Sequence, residues 1–553
     1  MDGREPKFRV LLADEIVAEG VEILEAADGL DVDNRPQIDP TTLKSVVGEY
    51  DALIVRSRTQ ITRDILEASG LLRVIGRAGI GVDNIDLDAA TRRGIIVLNA
   101  PGGNVVSAAE LTLSLMLAVI RRIPQADASV RGGRWERGRF KGTELHGKTL
   151  GLVGAGRIGT EVARRARAFG MRILTYDPYL SRERAEQQRM ELVTLPDLLE
   201  ESDIVSLHCP LTDETRGLIS SKELARMKPS AYFINAARGG VVDEDALAEA
   251  LADEKIAGAA LDVFAHEPVD PDHPLLKLDN VVLSPHLGSA TREAQRSVGI
   301  EIAKAVRDAL LAGRFHSAVN APELAVENYS ELAPLIDLAN RLGRVVCSLT
   351  RGDYRALEVR YAGAQERALR AIASAAAQGL LCEIVEPPLT LVNALHVATE
   401  RGVAVKRVGL GSKSGSGELI ELRLQAADGS ARVAGALLAE GHPRIVRIGE
   451  YRVDIPPRGT ILILRNRDVP GVIGKVGTVL GEAGVNIAEY HQARLEMGGD
   501  ALAAVAVDGV VAPEAIEQLI SMDEIMAIWQ IQLPDEPRGA PWGVDESLLE
   551  PAR

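Results

Sequence analysis

The sequence has 553 residues, a length that predicts roughly three or four domains. Its formal net charge of −16 argues against non-specific nucleic-acid binding, and an aromatic content of 3% leaves few groups for base stacking. Cys209, Cys347 and Cys382 show no metal-ligand spacing and are too few for a disulfide framework. No apolar run approaches the ~20 residues of a membrane span, and the first residues carry no apolar signal region. We therefore expect a cytoplasmic protein with no metal, membrane or nucleic-acid partner.

The first hundred residues alternate short apolar strands with helical segments. The expected strands cover 9–13, 52–55, 73–76 and 95–98, with helices near 16–27 and 63–68. This alternation is typical of a parallel α/β domain. A long and mostly apolar helix is expected over 105–122, and such helices are usually buried between domains or subunits.

A basic run follows this helix. Residues 131–141 carry five basic residues against one acid. Taken alone, such a run most often lies on a solvated surface. On an acidic chain, next to a cofactor domain, it suggests an anionic small substrate instead.

Residues 149–177 carry the most informative pattern in the chain. An apolar strand runs into Gly154, Gly156 and Gly159 in GxGxxG spacing, and a helix and a second strand that ends on Asp177 follow. The first glycine allows a tight turn, the second lets the backbone approach a pyrophosphate, and the third lets the helix pack closely on the sheet. Asp177 suits the ribose hydroxyls and would repel a 2′-phosphate. The pattern predicts a Rossmann domain that binds NAD rather than NADP.

Three later segments each place a polar side chain after an apolar strand. They contain Arg238, Glu267 and His286. Ligands of doubly wound sheets bind at the carboxyl ends of the strands, so these side chains are expected to converge near the nicotinamide. Histidine suits a general base, glutamate would orient its ring, and arginine can bind a carboxylate through two hydrogen bonds. Each residue alone has an ordinary structural explanation, but together they predict oxidation of a 2-hydroxy acid.

The composition changes after residue 320. Residues 325–455 are rich in Ala, Val, Leu and Arg, and two prolines at 456–457 mark a further boundary. A βαββαβ pattern, typical of a ferredoxin-like domain, is expected over 460–533, with helices at 474–483 and 513–520. Residues 534–553 combine prolines and acids and are expected to be a disordered tail.

Residues 8–320 resemble the D-2-hydroxyacid dehydrogenases. The motifs that carry the resemblance are Val55-Arg-Ser, GRAGIGVDNID at 76–86, NAPGGN at 99–104, GAGRIG at 154–159, HCPLT at 208–212, NAARGG at 235–240 and the segments around Glu267 and His286. The resemblance implies two Rossmann-like parallel-sheet domains: a substrate-binding domain at 1–98, completed by 290–320, and an NAD-binding domain at 99–289. It also implies an α+β intervening domain at 325–455 and a ferredoxin-like ACT domain at 459–533, as in the long bacterial members.

The resemblance also assigns roles to individual residues. Arg238, Glu267 and His286 are the implied catalytic residues. The implied substrate-binding residues are Arg56, Ser57, Arg77, Asn104, Arg134, Trp135 and Lys141. The implied cofactor-binding residues are Gly154, Gly156, Arg157, Ile158, Gly159, Asp177, His208, Thr212, Ala236, Ala237, Arg238, Asp262, His286, Leu287, Gly288, Ser289 and Ile80, which stands where a threonine is common.

The ACT domain implies an amino-acid effector. In relatives the effector is serine, held by residues that match Asn466, Asp468 and Asn486 here. Asn466 replaces a common tyrosine or histidine, and Asp468 and Asn486 also fit ordinary turn-forming roles. The resemblance further implies a homo-oligomer, a dimer or a tetramer.

The implied reaction is the NAD-dependent oxidation of 3-phospho-D-glycerate to 3-phosphohydroxypyruvate, the first step of L-serine biosynthesis. A side reduction of 2-oxoglutarate is compatible with the same site. Two alternatives stay open. One is another member of the family, such as a hydroxypyruvate or glyoxylate reductase, and the other is an NAD-sensing scaffold similar to the C-terminal-binding-protein corepressors.

Overall fold

The structure, a computed structural model, describes residues 7–321, 324, 329–350, 352–363, 368–382, 384–385, 389–411, 418–438 and 442–535. The chain forms two compact units, one of residues 1–99 with 302–553 and the other of residues 100–301. Most of the expected tail at 534–553 lies outside the described residues. Among the helices described here, none is both long enough and apolar enough to cross a membrane.

The first unit opens with a parallel five-stranded sheet, as the alternating pattern predicted. Its order is β2-β1-β3-β4-β5, with β1 (Phe8–Leu12), β2 (Leu30–Asn34), β3 (Ala52–Val55), β4 (Val74–Arg77) and β5 (Ile96–Asn99). The connecting helices are α1 (Ala18–Glu25), α2 (Pro40–Val46), α3 (Arg63–Glu67) and α4 (Leu87–Arg92). Strand β2 was not predicted because it is an edge strand with three polar residues, so its apolar signal is weak.

The second unit is a seven-stranded parallel sheet with order β12-β11-β10-β9-β6-β7-β8. Its strands are β6 (Thr149–Val153), β7 (Arg172–Tyr176), β8 (Glu191–Leu192), β9 (Ile204–Leu207), β10 (Tyr232–Asn235), β11 (Gly258–Leu261) and β12 (Val281–Leu283). Its helices are α5 (Val105–Ile120), α6 (Ile123–Arg131), α7 (Arg157–Ala168), α8 (Arg182–Gln187), α9 (Leu195–Glu201), α10 (Ser221–Leu224), α11 (Glu244–Ala252) and α12 (Arg292–Ala312), which continues into the first unit.

Helix α5 buries one apolar face in the core of the second unit. Ala109, Leu113, Met116 and Ile120 follow the spacing of one helical face and are buried in the core with residues of β6. Helix α5 thereby covers the strands that lead to the glycine-rich turn.

The segment after residue 320 forms two long helices and a mixed six-stranded sheet. Its elements are α13 (Tyr329–Ser348), β13 (Tyr354–Ala362), α14 (Leu369–Leu381), α15 (Ala394–Glu400), β14 (Ala404–Gly409), β15 (Glu418–Ala426), β16 (Gly429–Leu437), β17 (Pro443–Ile448) and β18 (Tyr451–Ile455). The order is β14-β13-β15-β16-β17-β18, and only β13–β14 is parallel. A Cβ at Gly379 would lie 1.9 Å from the carbonyl oxygen of Asn340, so only glycine lets α13 and α14 approach this closely.

The last domain has the predicted βαββαβ arrangement. Its elements are β19 (Gly459–Arg467), α16 (Val472–Glu482), β20 (Ile487–Arg494), β21 (Asp500–Val507), α17 (Pro513–Ile520) and β22 (Ile525–Leu533). The sheet is antiparallel with order β20-β21-β19-β22, and the two helices pack on one face around Leu480 and Leu519.

One buried arginine joins α13 to this last domain. Arg341, with 3% of its side chain exposed, forms an ion pair with Asp337 at 2.6 Å. Its Nη1 atom donates to the carbonyl oxygens of Pro457 at 2.7 Å and Pro534 at 2.5 Å. These prolines flank the βαββαβ domain, so one guanidinium contacts the chain at both ends of that domain.

We predict that Arg341→Ala lowers the free energy of unfolding of the C-terminal domains by about 3–5 kcal/mol, because it breaks a buried ion pair and removes the donor to the Pro457 and Pro534 carbonyls. The measurement is thermal and urea denaturation followed by circular dichroism. Arg355→Ala, at an exposed position of β13, is the control and should change the midpoint little. Equal midpoints for the two variants would contradict the prediction.

Candidate active site

The glycine-rich turn after β6 has the geometry of a dinucleotide site. Gly154 has φ +100°, and a Cβ there would lie 2.9 Å from the backbone of His208 and Cys209. A Cβ at Gly159 would lie 2.4 Å from the Gly154 carbonyl oxygen, so this glycine lets α7 pack against the turn. A Cβ at Gly156, in contrast, would meet no described atom within 4 Å. The open side of Gly156 therefore faces the space that a pyrophosphate needs.

Helix α7 begins at this turn with Arg157 and Ile158, and its N-cap residue Gly156 provides no side-chain acceptor. The first N–H groups of the helix are thus available to an anion, which the helix dipole also favours. The residues present therefore fit NAD, and these N–H groups would hold its pyrophosphate.

Asp177 lies at the end of β7 and has two contacts with the backbone. Its Oδ2 atom accepts from the Ala155 N–H at 2.9 Å, and Oδ1 accepts from the Tyr179 N–H at 2.9 Å. Sequence reasoning gave Asp177 only a ribose-binding role, whereas the structure shows that it also holds the glycine-rich turn in place. Ala155, Gly156, Arg157, Asp177 and Arg184 line one cleft of about 560 Å³.

His208 follows β9 and lies against Gly154 and Gly159. Its Nε2 atom is 2.9 Å from Ser206 Oγ, and burial lowers the pKa of the imidazole to about 4. Burial therefore disfavours the imidazolium form of His208, and Ser206 Oγ occupies its Nε2 atom. Burial raises the pKa of the neighbouring Cys209 thiol to about 11, which excludes a reactive thiolate. Thr212 lies in the exposed turn that follows and accepts from the Thr215 N–H at 3.3 Å.

The loop that carries Arg238 is shaped by a buried asparagine that sequence reasoning did not single out. Asn235 is fully buried at the end of β10, accepts from the Ala237 N–H at 3.1 Å and donates to the Arg238 carbonyl at 2.9 Å. Ala236, Ala237 and Arg238 are half-buried. A Cβ at the next residue, Gly239, would lie 1.9 Å from the Phe264 carbonyl carbon, so the Arg238 loop packs directly against the loop after β11.

Asp262, fully buried at the end of β11, organises the loop that carries His286. Its Oδ1 atom accepts from the Leu287 N–H at 2.7 Å and from Ser284 Oγ at 2.6 Å, and Oδ2 accepts from the Gly288 N–H at 2.9 Å. The His286 N–H donates to the Asp262 carbonyl at 2.8 Å. The carboxylate was predicted to bind the cofactor, and the contacts described here give it a positioning role. Leu287 is 41% exposed and Ser289 is half-buried.

His286 and Glu267 form the pair that the sequence predicted. His286 Nδ1 lies 2.7 Å from Glu267 Oε2, and both side chains are partly exposed. Burial opposes ionisation of Glu267, but hydrogen bonds from His286 and from the Phe264 N–H outweigh it and hold the pKa of this carboxyl below its ordinary value. His286 Nε2 makes no hydrogen bond within the described part of the chain. The imidazole therefore has one nitrogen on a carboxylate and one that is open to a ligand.

In the first unit, two loops at the carboxyl edge of the five-stranded sheet carry Arg56 and Arg77. Arg56 and Ser57 follow β3, and their loop is held by the buried Asp14, whose Oδ2 atom accepts from the Arg56 N–H at 2.7 Å. Asn84 donates to the Arg56 carbonyl at 2.8 Å. Neither Asp14 nor Asn84 was predicted to take part in the site.

Arg77 ends β4 in register with Val55 and Asn99 of its neighbours, so the loops after β3 and β4 share one sheet edge. A Cβ at Gly79, which has φ +155°, would lie 1.4 Å from Arg77 Nη1, so glycine makes room for the guanidinium. The loop that contains Ile80 is held by Asn99 Nδ2, which donates to the Ile80 carbonyl at 2.7 Å.

The other predicted substrate residues lie in the second unit. Asn104 Oδ1 is buried and has no partner among the described residues, as expected of a ligand-binding atom. Trp135 is 79% exposed, Arg134 contacts Glu136 at 3.4 Å, and Lys141 is exposed in the same basic loop. The described residues contain no cluster of His, Cys, Asp and Glu suited to a metal ion.

The three predicted effector residues do not meet within one chain. Asp468 follows β19 and its Oδ2 atom accepts from Arg494 Nη1 at 3.0 Å, whereas Asn486 precedes β20 and donates to Asp508 at 2.8 Å. Arg467 pairs with Asp500 and Ile487 with Val507, at opposite ends of β21. At about 3.3 Å per residue, strand geometry therefore separates Asp468 from Asn486 by roughly 20 Å. Asn466 is 1% exposed and accepts from Gln492 at 3.3 Å.

Comparison with known families assigns each part of the chain. Residues 113–288 match the NAD-binding domain of D-isomer specific 2-hydroxyacid dehydrogenases. Residues 331–449 match the D-3-phosphoglycerate dehydrogenase intervening domain, and residues 460–523 match the ACT domain. D-3-phosphoglycerate dehydrogenase from Synechocystis sp. is 41% identical over 530 residues, 95% of each chain. The enzyme of the same name from Archaeoglobus fulgidus is 40% identical over 529 residues, 95% of this chain and 100% of that one.

The chain belongs to the D-3-phosphoglycerate dehydrogenase family. It is therefore an NAD-dependent oxidoreductase of the class that acts on the CH–OH group of a 2-hydroxy acid. This result confirms the family, the reaction class and the cofactor expected from the sequence, and the intervening-domain match favours this family over the reductase and scaffold alternatives.

Solved structures show the same fold over part of the chain. A crystal structure from Thermus thermophilus has 38% sequence identity and a TM-score of 0.51, and covers 55% of this chain and 97% of that one. A glyoxylate reductase from Paecilomyes thermophila has 33% identity and a TM-score of 0.53, and covers 57% of this chain and 99% of that one. The present chain thus carries more than two hundred residues beyond either match.

We predict that Asp177→Asn lowers KM for NADP at least tenfold, because it removes the negative charge that would face a 2′-phosphate while Arg184 still lines the same cleft. The amide retains an oxygen that can accept from the Ala155 N–H, so KM for NAD should change by less. Steady-state kinetics with both cofactors measure the effect, and Glu183→Gln on the exposed start of α8 is the control. An unchanged KM for NADP would contradict the prediction.

Proposed function

We propose that the chain oxidises 3-phospho-D-glycerate to 3-phosphohydroxypyruvate with NAD, the first step of L-serine biosynthesis. The observation that carries the proposal is the His286–Glu267 pair, held at 2.7 Å beside the packed Arg238 loop, in a chain whose relatives of that name match it over 95% of its length. Reduction of 2-oxoglutarate would use the same groups.

His286 takes the proton of the C2 hydroxyl on Nε2, since Nδ1 is engaged by Glu267. Glu267 stays ionised because its pKa is held low, and it stabilises the imidazolium that forms. Arg238 binds the carboxylate of the substrate and the C2 oxygen as it becomes a ketone. Bound NAD supplies the acceptor for the hydride that leaves C2.

We assign binding of the substrate phosphate, and of the substrate's other polar groups, to residues outside the His286–Glu267 pair. Arg56, Ser57 and Arg77 in the first unit, and Asn104, Arg134, Trp135 and Lys141 in the second, are the proposed substrate-binding residues. The loops of the first unit present backbone-anchored cations, and Asn104 Oδ1 is a buried acceptor that a substrate hydroxyl would satisfy. The cofactor residues named from the sequence keep their proposed roles, and Asp262 acts through the loop that it holds.

We predict that His286→Asn lowers kcat for 3-phosphoglycerate oxidation by about 10²–10⁴-fold, the usual contribution of a positioned general base. Asparagine is chosen because His286 has φ +54°, a conformation that asparagine tolerates better than alanine. The Kd for NAD, measured by fluorescence titration, should stay within about twofold because the pyrophosphate contacts are elsewhere. A kcat within a few fold of the parent would refute the assignment of the base.

Glu267→Gln provides the matching charge control. The carboxylate orients the His286 ring and stabilises the imidazolium that forms during the reaction, so kcat should fall when it is lost. The same assays with D-glycerate in place of 3-phosphoglycerate test the phosphate: equal efficiency for the two substrates would favour the reductase alternative.

We propose serine as the effector, bound between the β20 edges of two chains in a homodimer or homotetramer. The support is the ACT domain and the separation of Asp468 from Asn486, since antiparallel pairing of two β20 strands would bring Asn486 of one copy toward Asp468 of the other. A cytoplasmic location and the domain limits expected from the sequence also remain proposals.

We predict that serine lowers the activity of the parent enzyme and that Asn486→Ala abolishes this response without lowering the basal rate. A coupling of about 1–3 kcal/mol would change substrate affinity roughly 5- to 150-fold. The measurement is a serine titration of steady-state activity, with analytical ultracentrifugation for the oligomeric state. Asp523→Ala, in the turn before β22, is the control. A parent enzyme that ignores millimolar serine would refute the effector and leave the dehydrogenase assignment intact.

A further inference from the structure

The loop between β11 and the catalytic Glu267 is hydrogen-bonded by the carboxylate of Glu244. Neither the motifs nor the family comparison assign a role to this residue. Glu244 is the first residue of α11, and 9% of its side chain is exposed. Its Oε1 atom accepts from the Ala265 N–H at 2.6 Å, and Oε2 lies 3.2 Å from His273 Nε2. A nearly buried carboxylate therefore connects α11, the loop after β11 and the turn at His273.

The partner histidine is held in one orientation. The Leu275 N–H donates to His273 Nδ1 at 3.3 Å, so in the neutral imidazole the hydrogen lies on Nε2 and points to Glu244. The ring of His273 also contacts the Phe264 ring edge-on, with centroids 6.5 Å apart. His273 is 17% exposed. These contacts fix the position of the Glu244 carboxylate on the side away from Ala265.

The negative charge of Glu244 is stabilised where it lies. Glu244 stands in the first turn of α11, where the helix dipole favours an anion, and two N–H groups point at its two oxygens. A buried carboxylate with such partners is held in a narrow range of positions, and so is the peptide N–H that it accepts from.

The backbone around this N–H also contacts Glu267 and the loop that carries Arg238. The Phe264 N–H donates to Glu267 Oε1 at 3.1 Å, and the Ala265 N–H, one residue later, donates to Glu244. Gly239, next to Arg238, packs against the same Phe264–Ala265 peptide. The Phe264 N–H belongs to the preceding peptide, so the backbone of residues 263–265 contacts the Glu267 carboxylate, Glu244 and the Arg238 loop through two consecutive peptides.

We infer that Glu244 is a positioning residue for the Glu267–His286 pair and for Arg238, acting through the backbone of residues 263–265, with His273 fixing its orientation. It does not touch the reacting atoms. Glu244 acts on Glu267 through the backbone, because the Ala265 N–H donates to Glu244 and the neighbouring Phe264 N–H donates to Glu267. The inference rests on the proposed function for the identity of the reaction, and the experiment separates the two.

The experiment compares four full-length enzymes: the parent, Glu244→Ala, Glu244→Gln and Asp245→Ala. Asp245 is the matched control because it is exposed, lies next to Glu244 and also stands in the first turn of α11. Each enzyme is assayed for kcat, for KM of both substrates and for its melting temperature. Oxidation of 3-phosphoglycerate with NAD is the assay reaction.

We expect Glu244→Ala to lower kcat by between about tenfold and a hundredfold, the loss that a displacement near 1 Å can cause. KM for NAD should stay within about twofold, since the glycine-rich turn is not touched. The loss should fall on kcat, as in Glu267→Gln, because a displaced Glu267 orients the His286 ring less well.

Glu244→Gln should recover part of kcat, since its amide oxygen can still accept from the Ala265 N–H while its NH2 group faces the His273 Nε2–H. This variant also keeps the test valid if Glu244→Ala does not fold. The inference is overturned if Glu244→Ala behaves like Asp245→Ala, or if it loses activity and Glu244→Gln gives no recovery. A parent enzyme that does not oxidise 3-phosphoglycerate would instead overturn the proposed function, and the comparison is then repeated with the hydroxy acid that it does oxidise.

Discussion

The parallel register of the seven-stranded sheet is the constraint on which the active site depends. Because neighbouring strands run in the same direction, β6, β7, β9, β10, β11 and β12 all end at one edge. The strands themselves are buried. The charged side chains of the candidate site therefore lie in the loops that follow the carboxyl ends of the strands. The common strand direction therefore brings to one edge of the sheet the glycine-rich turn, Asp177, Arg238 and the His286–Glu267 pair.

Buried carboxylates and amides hold the loops that follow the strands, and so fix the positions of the side chains on those loops. Asn235 holds the Arg238 loop, Asp262 holds the His286 loop, and Asp14 does the same for Arg56 in the first unit. In each case a buried acceptor or donor at a strand end satisfies N–H or carbonyl groups of the following loop. Such groups are costly to bury without partners, and with partners they fix the loop in one conformation.

The sequence predicted most of the strands and helices, and also the contact of His286 with Glu267, because both produce local signals. Alternating apolar strands and helices indicated the two parallel sheets, and the βαββαβ pattern indicated the last domain. The short edge strand β2 was missed because its polar residues hide the apolar alternation. Asp14 and Glu244 were missed because their partners lie elsewhere in the chain, and only the fold brings them together. Asn235 contacts its own loop, but an asparagine at a strand end gives no sequence signal that its side chain holds that loop. Within one chain Asn466 and Asp468 lie at one end of the ACT sheet and Asn486 at the other, so the proposed effector site needs two chains.

The contacts of Arg341 give the ACT domain a particular mechanical attachment. Its guanidinium binds the carbonyl of Pro457, just before β19 begins, and the carbonyl of Pro534, just after β22 ends. One side chain therefore fixes both chain ends of the domain to α13. The domain has a second attachment, because Arg444 of β17 forms an ion pair with Glu489 of β20 at 2.7 Å. Loss of the Arg341 guanidinium would remove one hydrogen bond from the first and one from the last strand end of the ACT domain at the same time.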